Sequence, residues 1–272
     1  MRVLGAAVLV CLGSLAAAAK PSNPAFLGVG MQDMNGRGAG PCLVYSVTAD
    51  SAASEAGLRI YDEFISIDGT ALTTCDSLIT AIQAREPGQL VRFDVRRGGQ
   101  VLSIKVNLLS REEVLRRRFV GQVVPTAMLL RVEDRAAGEL AARGKTTVVG
   151  WFDKGCVGCE GVFARVARWS SGKSRNISVL GATAGDLQKP IEENFQLMRD
   201  TARHLDVPLF LTDAETFKKF TITDNDRIHF MVIDCRGVVQ HVAPVVPDGD
   251  DTSAVLDELY AATEQAVRRM KQ

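Results

Sequence analysis

The chain has 272 residues, with 32 Lys+Arg against 32 Asp+Glu and a formal net charge of zero. At roughly 100–200 residues per domain that length fits two modest domains, and the charge balance argues against a general nucleic-acid binder, which carries a basic stripe. With 46% hydrophobic and 24% charged residues the composition is globular, six cysteines are too few for a disulfide-dense scaffold, and three histidines leave little room for a multi-His metal site.

Residues 1–19 read as a secretory signal peptide. Arg2 supplies one charge, Val3 to Ala19 is uncharged and rich in Leu, Val and Ala, and Ala17-Ala18-Ala19 forms a cleavage pattern. The apolar run is short for a spanning helix, and Cys11 falls inside the discarded segment. No later segment is long and apolar enough to cross a membrane. The expectation is a periplasmic or secreted protein in a compartment that permits disulfides. Five cysteines remain in it: Cys42, Cys75, Cys156, Cys159 and Cys235.

A first module spans about residues 24–108. Cys42 to Val47 reads as a short buried strand. Ala52 to Leu58 is a single helical turn closed by Gly57. Tyr61 to Gly69 is a strand ending in an Asp-Gly turn. Asp76 to Ala84 carries Leu78, Ile79 and Ile82, an amphipathic helix capped by Thr73 or Thr74. Leu90 to Arg96 and Val101 to Leu108 alternate around Arg97-Gly98-Gly99-Gln100, a hairpin signal.

In this order, the pieces Phe26-Leu27-Gly28-Val29, Ser51 to Leu58, Asp62 to Leu72, the helix and the final hairpin resemble a PDZ domain of the kind appended to HtrA-type proteases. The resemblance implies a small, mainly β domain with short helices that captures a C-terminal peptide. Phe26, Leu27, Gly28 and Val29 would present backbone N–H groups to the terminal carboxylate, and Leu78, Ile79 and Ile82 would form the far wall. For Leu78 and Ile82 a plain core role is an equal alternative. The chain has no Gly-x-Ser-x-Gly and its three histidines, His204, His229 and His241, all lie downstream, so a serine-protease reading is rejected. Cys42 and Cys75 can be bonded or free, and two free thiols acting as small hydrophobes are the favoured expectation.

Residues 109–125 form a charged connector. Ser110 to Arg118 carries six charges in nine residues and reads as a solvated helical face or linker. Pro125 breaks regular structure before the second module, residues 126–272.

Thr146 to Phe152 is a buried-type strand, followed by Cys156-Val157-Gly158-Cys159 and then by Val162, Phe163, Val166 and Trp169 at helical spacing. The Cys-x-x-Cys therefore sits where a strand gives way to a helix. Next come a strand from Ile177 to Gly181, a helix from Pro190, a strand from Pro208 to Leu211, and a short helix near Ala214 to Phe220. Strands around Phe230 to Asp234 and Val238 to Val242 and a helix from Thr252 to Met270 complete the module. A helix N-terminus stabilises a thiolate at Cys156, Lys154 adds positive charge, and Cys159 lies close enough to resolve a mixed disulfide.

This order resembles the thioredoxin fold, in its exported redoxin-like branch, and implies two domains in all: PDZ plus an α/β thioredoxin-like fold. Three positions depart from the family pattern. Ile228 stands where a cis-proline faces the active site, Gly155 where a Trp often precedes the first Cys, and Gly150 where thioredoxins bury an Asp. His229, next to Ile228, either reaches the active-site face or sits in the core. A zinc site drawing on Cys235 or His229 is disfavoured, because Cys235 falls at the far end of its strand.

The leading expectation is an exported thiol–disulfide oxidoreductase without cofactor or metal. Its partners are a protein disulfide or dithiol and a C-terminal peptide docked in the PDZ groove. The alternative is a non-enzymatic PDZ adaptor or sensor whose thioredoxin-like domain is a redox-silent scaffold.

Overall fold

The computed structural model describes residues 24–34, 40–142, 144–173, 175–186, 188–222 and 226–270; the leader assigned to residues 1–19 lies outside them. The N-terminal elements run β1 (Ala25–Phe26), β2 (Val29–Asp33), β3 (Cys42–Val47), α1 (Ala52–Glu55), β4 (Glu63–Ile67), β5 (Thr70–Ala71), α2 (Cys75–Gln83), β6 (Leu90–Arg97), β7 (Gln100–Asn107) and β8 (Leu109–Ser110). β2, β3, β4, β6 and β7 form an antiparallel sheet in that order, β5 pairs with β4, and β1 pairs with β8 in a separate ribbon.

Local chemistry accounts for these elements. On β6 Val91, Phe93 and Val95 point inward in alternation, and Phe93 meets Phe64 edge-on at 5.2 Å. The β6–β7 turn places Gly98 and Gly99 at positive φ, as a two-residue hairpin requires. Thr74 caps α2: its side chain accepts the Ser77 N–H at 3.1 Å while Ser77 Oγ reaches back to the Thr74 N–H.

The connector contains a helix, α3 (Arg111–Phe119), whose first turn is capped by Ser110 Oγ accepting the Glu113 N–H at 3.0 Å. Arg116, Arg117 and Arg118 fall in the last turn, where positive charge complements the helix dipole. The expectation of a merely solvated run is corrected here. Val114, Leu115 and Phe119 are buried on one face, and the helix packs against the second sheet.

After α3 come β9 (Leu129–Arg131), β10 (Ala137–Gly138), β11 (Thr146–Phe152), α4 (Cys159–Ser171), β12 (Ile177–Ala184), α5 (Ile191–His204), β13 (Leu209–Thr212), α6 (Ala214–Phe220), β14 (Ile228–Ile233), β15 (Val239–Val245) and α7 (Thr252–Arg269). They build a seven-stranded sheet in the order β10-β9-β13-β12-β11-β14-β15. β11, β12 and β13 are parallel, whereas β14 runs antiparallel to β11 and β15 antiparallel to β14. The edge hairpin β9–β10 carries too few residues to announce itself in the pattern.

β11 is central, and all seven of its residues are buried. Side chains alternate between the faces of the sheet. Val148 and Phe152 join Ile228, Phe230 and Val232 in one core, covered by Val162, Phe163 and Val166 of α4 and Leu256 and Leu259 of α7. Val149 and Trp151 join Met231 and Ile233 in the other, covered by Phe217 and Phe220 of α6 and Phe119 of α3. That second core is continuous with the core of the N-terminal sheet.

Candidate functional site

Two sites emerge. The first is a cleft of about 970 Å³ beside β2. In its sheet β2 is an edge strand, paired with β3 on one side, and its other edge faces the cleft. The segment Phe26-Leu27-Gly28-Val29 lines one end, and Ile79 and Ile82 of α2 line the wall. All the expected groove residues except Leu78 border the cleft. Leu78 is a correction: it is 0% exposed and belongs to the core, whereas Ile79, one residue on, is 38% exposed. The helix phase divides two neighbours that the sequence presents as equals.

Gly28 has two structural reasons to be glycine. Its φ is +86°, and a Cβ there would run into the Ser51 side chain. Its carbonyl accepts the Thr48 N–H at 2.8 Å, and the Leu27 carbonyl accepts the Ala53 N–H at 2.8 Å. The segment is thereby fixed against α1 and the turn before it.

α2 is pinned from its first residue. Cys75 is disulfide-bonded to Cys42 of β3, with Cα atoms 4.7 Å apart, and its N–H donates to Asp33 Oδ1 at 3.0 Å. The favoured expectation of free thiols is corrected: 33 residues of separation hide the fact that the sheet register places the two Cα atoms within bridging range. The bond tethers the groove wall to the sheet.

The second site is the Cys156–Cys159 disulfide, with Cα atoms 5.7 Å apart, just beyond the C-terminal end of β11. Cys159 is the first residue of α4 and 1% exposed. Cys156 is half-buried, precedes the Gly158 N-cap by two residues, and donates its N–H to the Asp153 carbonyl at 2.9 Å. It therefore lies before the helix rather than in its first turn. Gly158 adopts φ +81°, and a Cβ there would sit 3.0 Å from Pro247 and 3.5 Å from Asp248 Oδ2, so the loop from β15 to α7 borders the disulfide.

The surrounding charge differs from expectation. Lys154 Nζ donates to Asp186 Oδ2 at 3.0 Å. That carboxylate is held below its usual range, first by the Gln188 backbone N–H and then by Lys154. The Lys154 charge is therefore offset rather than directed at Cys156. Gly155 donates its N–H to Asp153 Oδ1 at 2.8 Å, part of the tight turn before the cysteines.

Ile228 is fully buried and shares a core with Cys159 and Phe152. No cis peptide bond occurs among the described residues, so the Arg227–Ile228 bond is trans. His229 lies directly across from Trp151, on the opposite face of the sheet from Phe152 and α4. Its Nε2 is 3.0 Å from the Ile222 carbonyl, which only accepts, so Nε2 carries the proton. Burial, with Arg227 nearby, pushes its pKa down to about 3. His229 is a core histidine and not a neighbour of the disulfide. At Gly150 a Cβ would lie 2.5 Å from the Phe163 ring and 2.8 Å from the Phe230 ring, so two aromatics occupy the room an Asp would need. Cys235 is a free cysteine beyond the end of β14, away from the Ile228 end that adjoins Phe152.

The edge strand, the glycine segment and the helical wall converge with a sequence comparison: residues 25–108 match the PDZ domain family. Residues 25–108 are a PDZ domain. Over 33% of this chain, it is similar at 23% identity and a TM-score of 0.30 to the HtrA-type protease AlgW with a decapeptide, and it spans about 30% of that protease's length. An HtrA3 PDZ domain bound to a phage-derived ligand is similar over 32% of this chain and 86% of its own, at 20% identity and a TM-score of 0.28. A putative protein disulfide isomerase from Bacteroides thetaiotaomicron is 17% identical over 53% of this chain and 90% of its own, with a TM-score of 0.40.

Local patterns in the sequence missed the residues that the connector helix and the second module bring to the PDZ cleft. Phe119, Lys218 and Lys219 line it. Arg118 donates to the Ala49 carbonyl at 2.9 Å and to the Lys219 carbonyl at 3.3 Å, bridging the two modules. A connector and a helix more than 90 residues apart from each other carry no mutual signal.

Proposed function

We propose that the chain is an exported thiol–disulfide oxidoreductase that holds a protein partner by its C-terminal tail. Residues 1–19 are its leader, 24–108 the docking module, 109–125 the connector and 126–272 a thioredoxin-like redox module. The observation that carries this reading is the Cys156–Cys159 disulfide just beyond the end of the central strand, with Cys156 half-buried and Cys159 buried. A parallel β11–β12–β13 core extended by two antiparallel strands supports the thioredoxin-like assignment. Two disulfides in one chain support an oxidising compartment.

In the oxidised form a partner thiolate attacks Cys156 Sγ and expels Cys159 as a thiolate. The partner's second thiol then attacks the mixed disulfide and releases Cys156. Two electrons and two protons pass from the partner dithiol to the chain, and the reverse sequence reduces a partner disulfide. In the PDZ groove the tail adds as a strand to the free edge of β2. With the Leu27 and Gly28 carbonyls already engaged, the N–H groups of that segment receive the terminal carboxylate. Docking raises the local concentration of the partner's cysteines. The test is exchange with a dithiol-bearing protein that carries a free C-terminal tail. The reading predicts faster exchange than with the same protein amidated at its C-terminus, and equal rates would contradict it.

A second reading, an adaptor with a silent scaffold, draws on three observations. The bond before Ile228 is trans, aromatic rings fill the space beside Gly150, and Lys154 is paired with Asp186. Under it, tail peptides bind and Cys156–Cys159 does not turn over.

A further inference from the structure

The cleft is not built by the PDZ domain alone. α3 and α6, outside residues 25–108, supply part of its lining and all of its charge. Four cations border it: Arg111, Arg118, Lys218 and Lys219. Among the described residues no Asp or Glu lines it. The arginines are engaged in the fold. Arg111 lies over the Phe26 ring at 4.6 Å, and Arg118 binds two carbonyls and approaches Asp50 Oδ2 at 3.6 Å. Lys218 and Lys219 differ. Both are exposed side chains on the last turn of α6, and no carboxylate within ion-pair distance faces either of them among the described residues.

The position of α6 is fixed rather than adventitious. Phe220, the residue after Lys219, stacks on Trp151 at 4.4 Å and on Phe119 at 5.6 Å, and Asp213 caps the helix by accepting the Thr216 N–H at 2.8 Å. The lysine backbones are therefore held beside the cleft, where Arg118 ties the Lys219 carbonyl to that of Ala49. A concave surface with one sign of charge concentrates the opposite sign.

We propose that the cleft selects C-terminal peptides with acidic residues upstream of an apolar terminus, and that Lys218 and Lys219 of the second module read those acids. The inference rests on the PDZ groove being a tail-binding site and adds the determinant that sets its preference. The terminal carboxylate meets the Phe26–Val29 segment, the apolar side chains pack on Ile79 and Ile82, and the upstream carboxylates meet the lysines. Recognition is thus shared between modules, so an isolated PDZ domain would lack the acidic preference.

The test is fluorescence anisotropy on the full chain at low salt. Three labelled decapeptides are used, each ending in Val with a free carboxylate and differing only in Glu, Gln or Lys at the third to fifth residues from the end. Exposed ion pairs in a cleft contribute a few-fold each, so the Glu peptide is expected to bind about tenfold tighter than the Gln peptide and tighter still than the Lys peptide. Half-molar salt should compress the difference. Lys218→Gln/Lys219→Gln should erase the preference, so that the Glu and Gln peptides bind the variant equally. Lys218→Glu/Lys219→Glu should invert it toward the Lys peptide. Equal affinities for the three peptides in the native chain, or a preference that survives both double variants, overturns the proposal. C-terminal amidation separates the two readings. If amidation abolishes binding of peptides the chain does not rank, tail capture stands and the lysine role falls. If no peptide binds, both fall.

Discussion

Trp151 stacks on Phe220 with ring centroids 4.4 Å apart and planes 3° apart. Phe220 stacks in turn on Phe119 at 5.6 Å, so three aromatic rings run from the central strand through α6 to the connector helix. The strand that ends next to Cys156 is thereby packed to the helix that leads out of the PDZ domain. The two modules share a core instead of hanging from a flexible tether.

Phe119→Ala tests that shared core. Phe119 is 3% exposed, and truncating a buried Phe costs about 3–5 kcal/mol. The expected outcome is a lower urea midpoint together with a split into two transitions, one per module. A single transition at an unchanged midpoint would show that the modules do not depend on this contact.

The Cys42–Cys75 bond closes a loop of 33 residues. Loop-closure entropy gives it a stabilisation of about 3–4 kcal/mol. Cys42→Ala/Cys75→Ala should lose about that much in urea unfolding. It should also weaken tail-peptide binding, since α2 then loses the covalent tie that fixes its start to β3. Full peptide affinity in the double variant would mean that the bond does not shape the groove.

Gly150→Asp would place a carboxylate on the central strand where it meets the Phe163 and Phe230 rings. Overpacking and a buried carboxylate together cost about 3 kcal/mol or more. The substitution should destabilise the fold and bring no gain in exchange rate. A stable, faster variant would show that the rings yield.

The pH response follows from His229. Its pKa falls from 6.5 to about 3 on folding, so between those values the unfolded chain binds the extra proton. Stability contributed by the neutral form is complete above about pH 6.5 and declines as pH falls, by about 2 kcal/mol at pH 5. His241, also shifted down by burial, acts with the same sign. Carboxylates held low, such as Asp213 by its Thr216 hydrogen bonds, lose their contribution only at still lower pH. Urea midpoints at pH 5 and 7.5 should differ clearly in the native chain and less than half as much in His229→Gln. An equal difference in both would assign the response elsewhere.

Much of this was legible in the sequence because it is local. Alternation marked β6 and β7, Gly98-Gly99 marked their turn, and a short helix near Ala214 to Phe220 was read where α6 stands. What escaped depends on contacts between distant segments. The Cys42–Cys75 pairing follows from sheet register. The burial of Val114, Leu115 and Phe119 follows from a partner surface that begins at β11. The Leu78–Ile79 division follows from helix phase, and the placement of His229 on the Trp151 face follows from the pairing of β11 with β14. The Cys-x-x-Cys was read at the junction of strand and helix, with Cys156 two residues short of the cap. Residues 1–19, read as a leader, lie outside the described residues.

The most direct test of the account is a redox titration of the full chain in glutathione buffers, read by thiol alkylation and mass, beside Cys156→Ser and Cys159→Ser. The account predicts a reversible two-electron couple at Cys156/Cys159, lost in both variants, while Cys42–Cys75 stays oxidised throughout. A Cys156–Cys159 pair that remains locked, or that never forms a disulfide across the series, would contradict it and leave the tail-binding groove as the functional site.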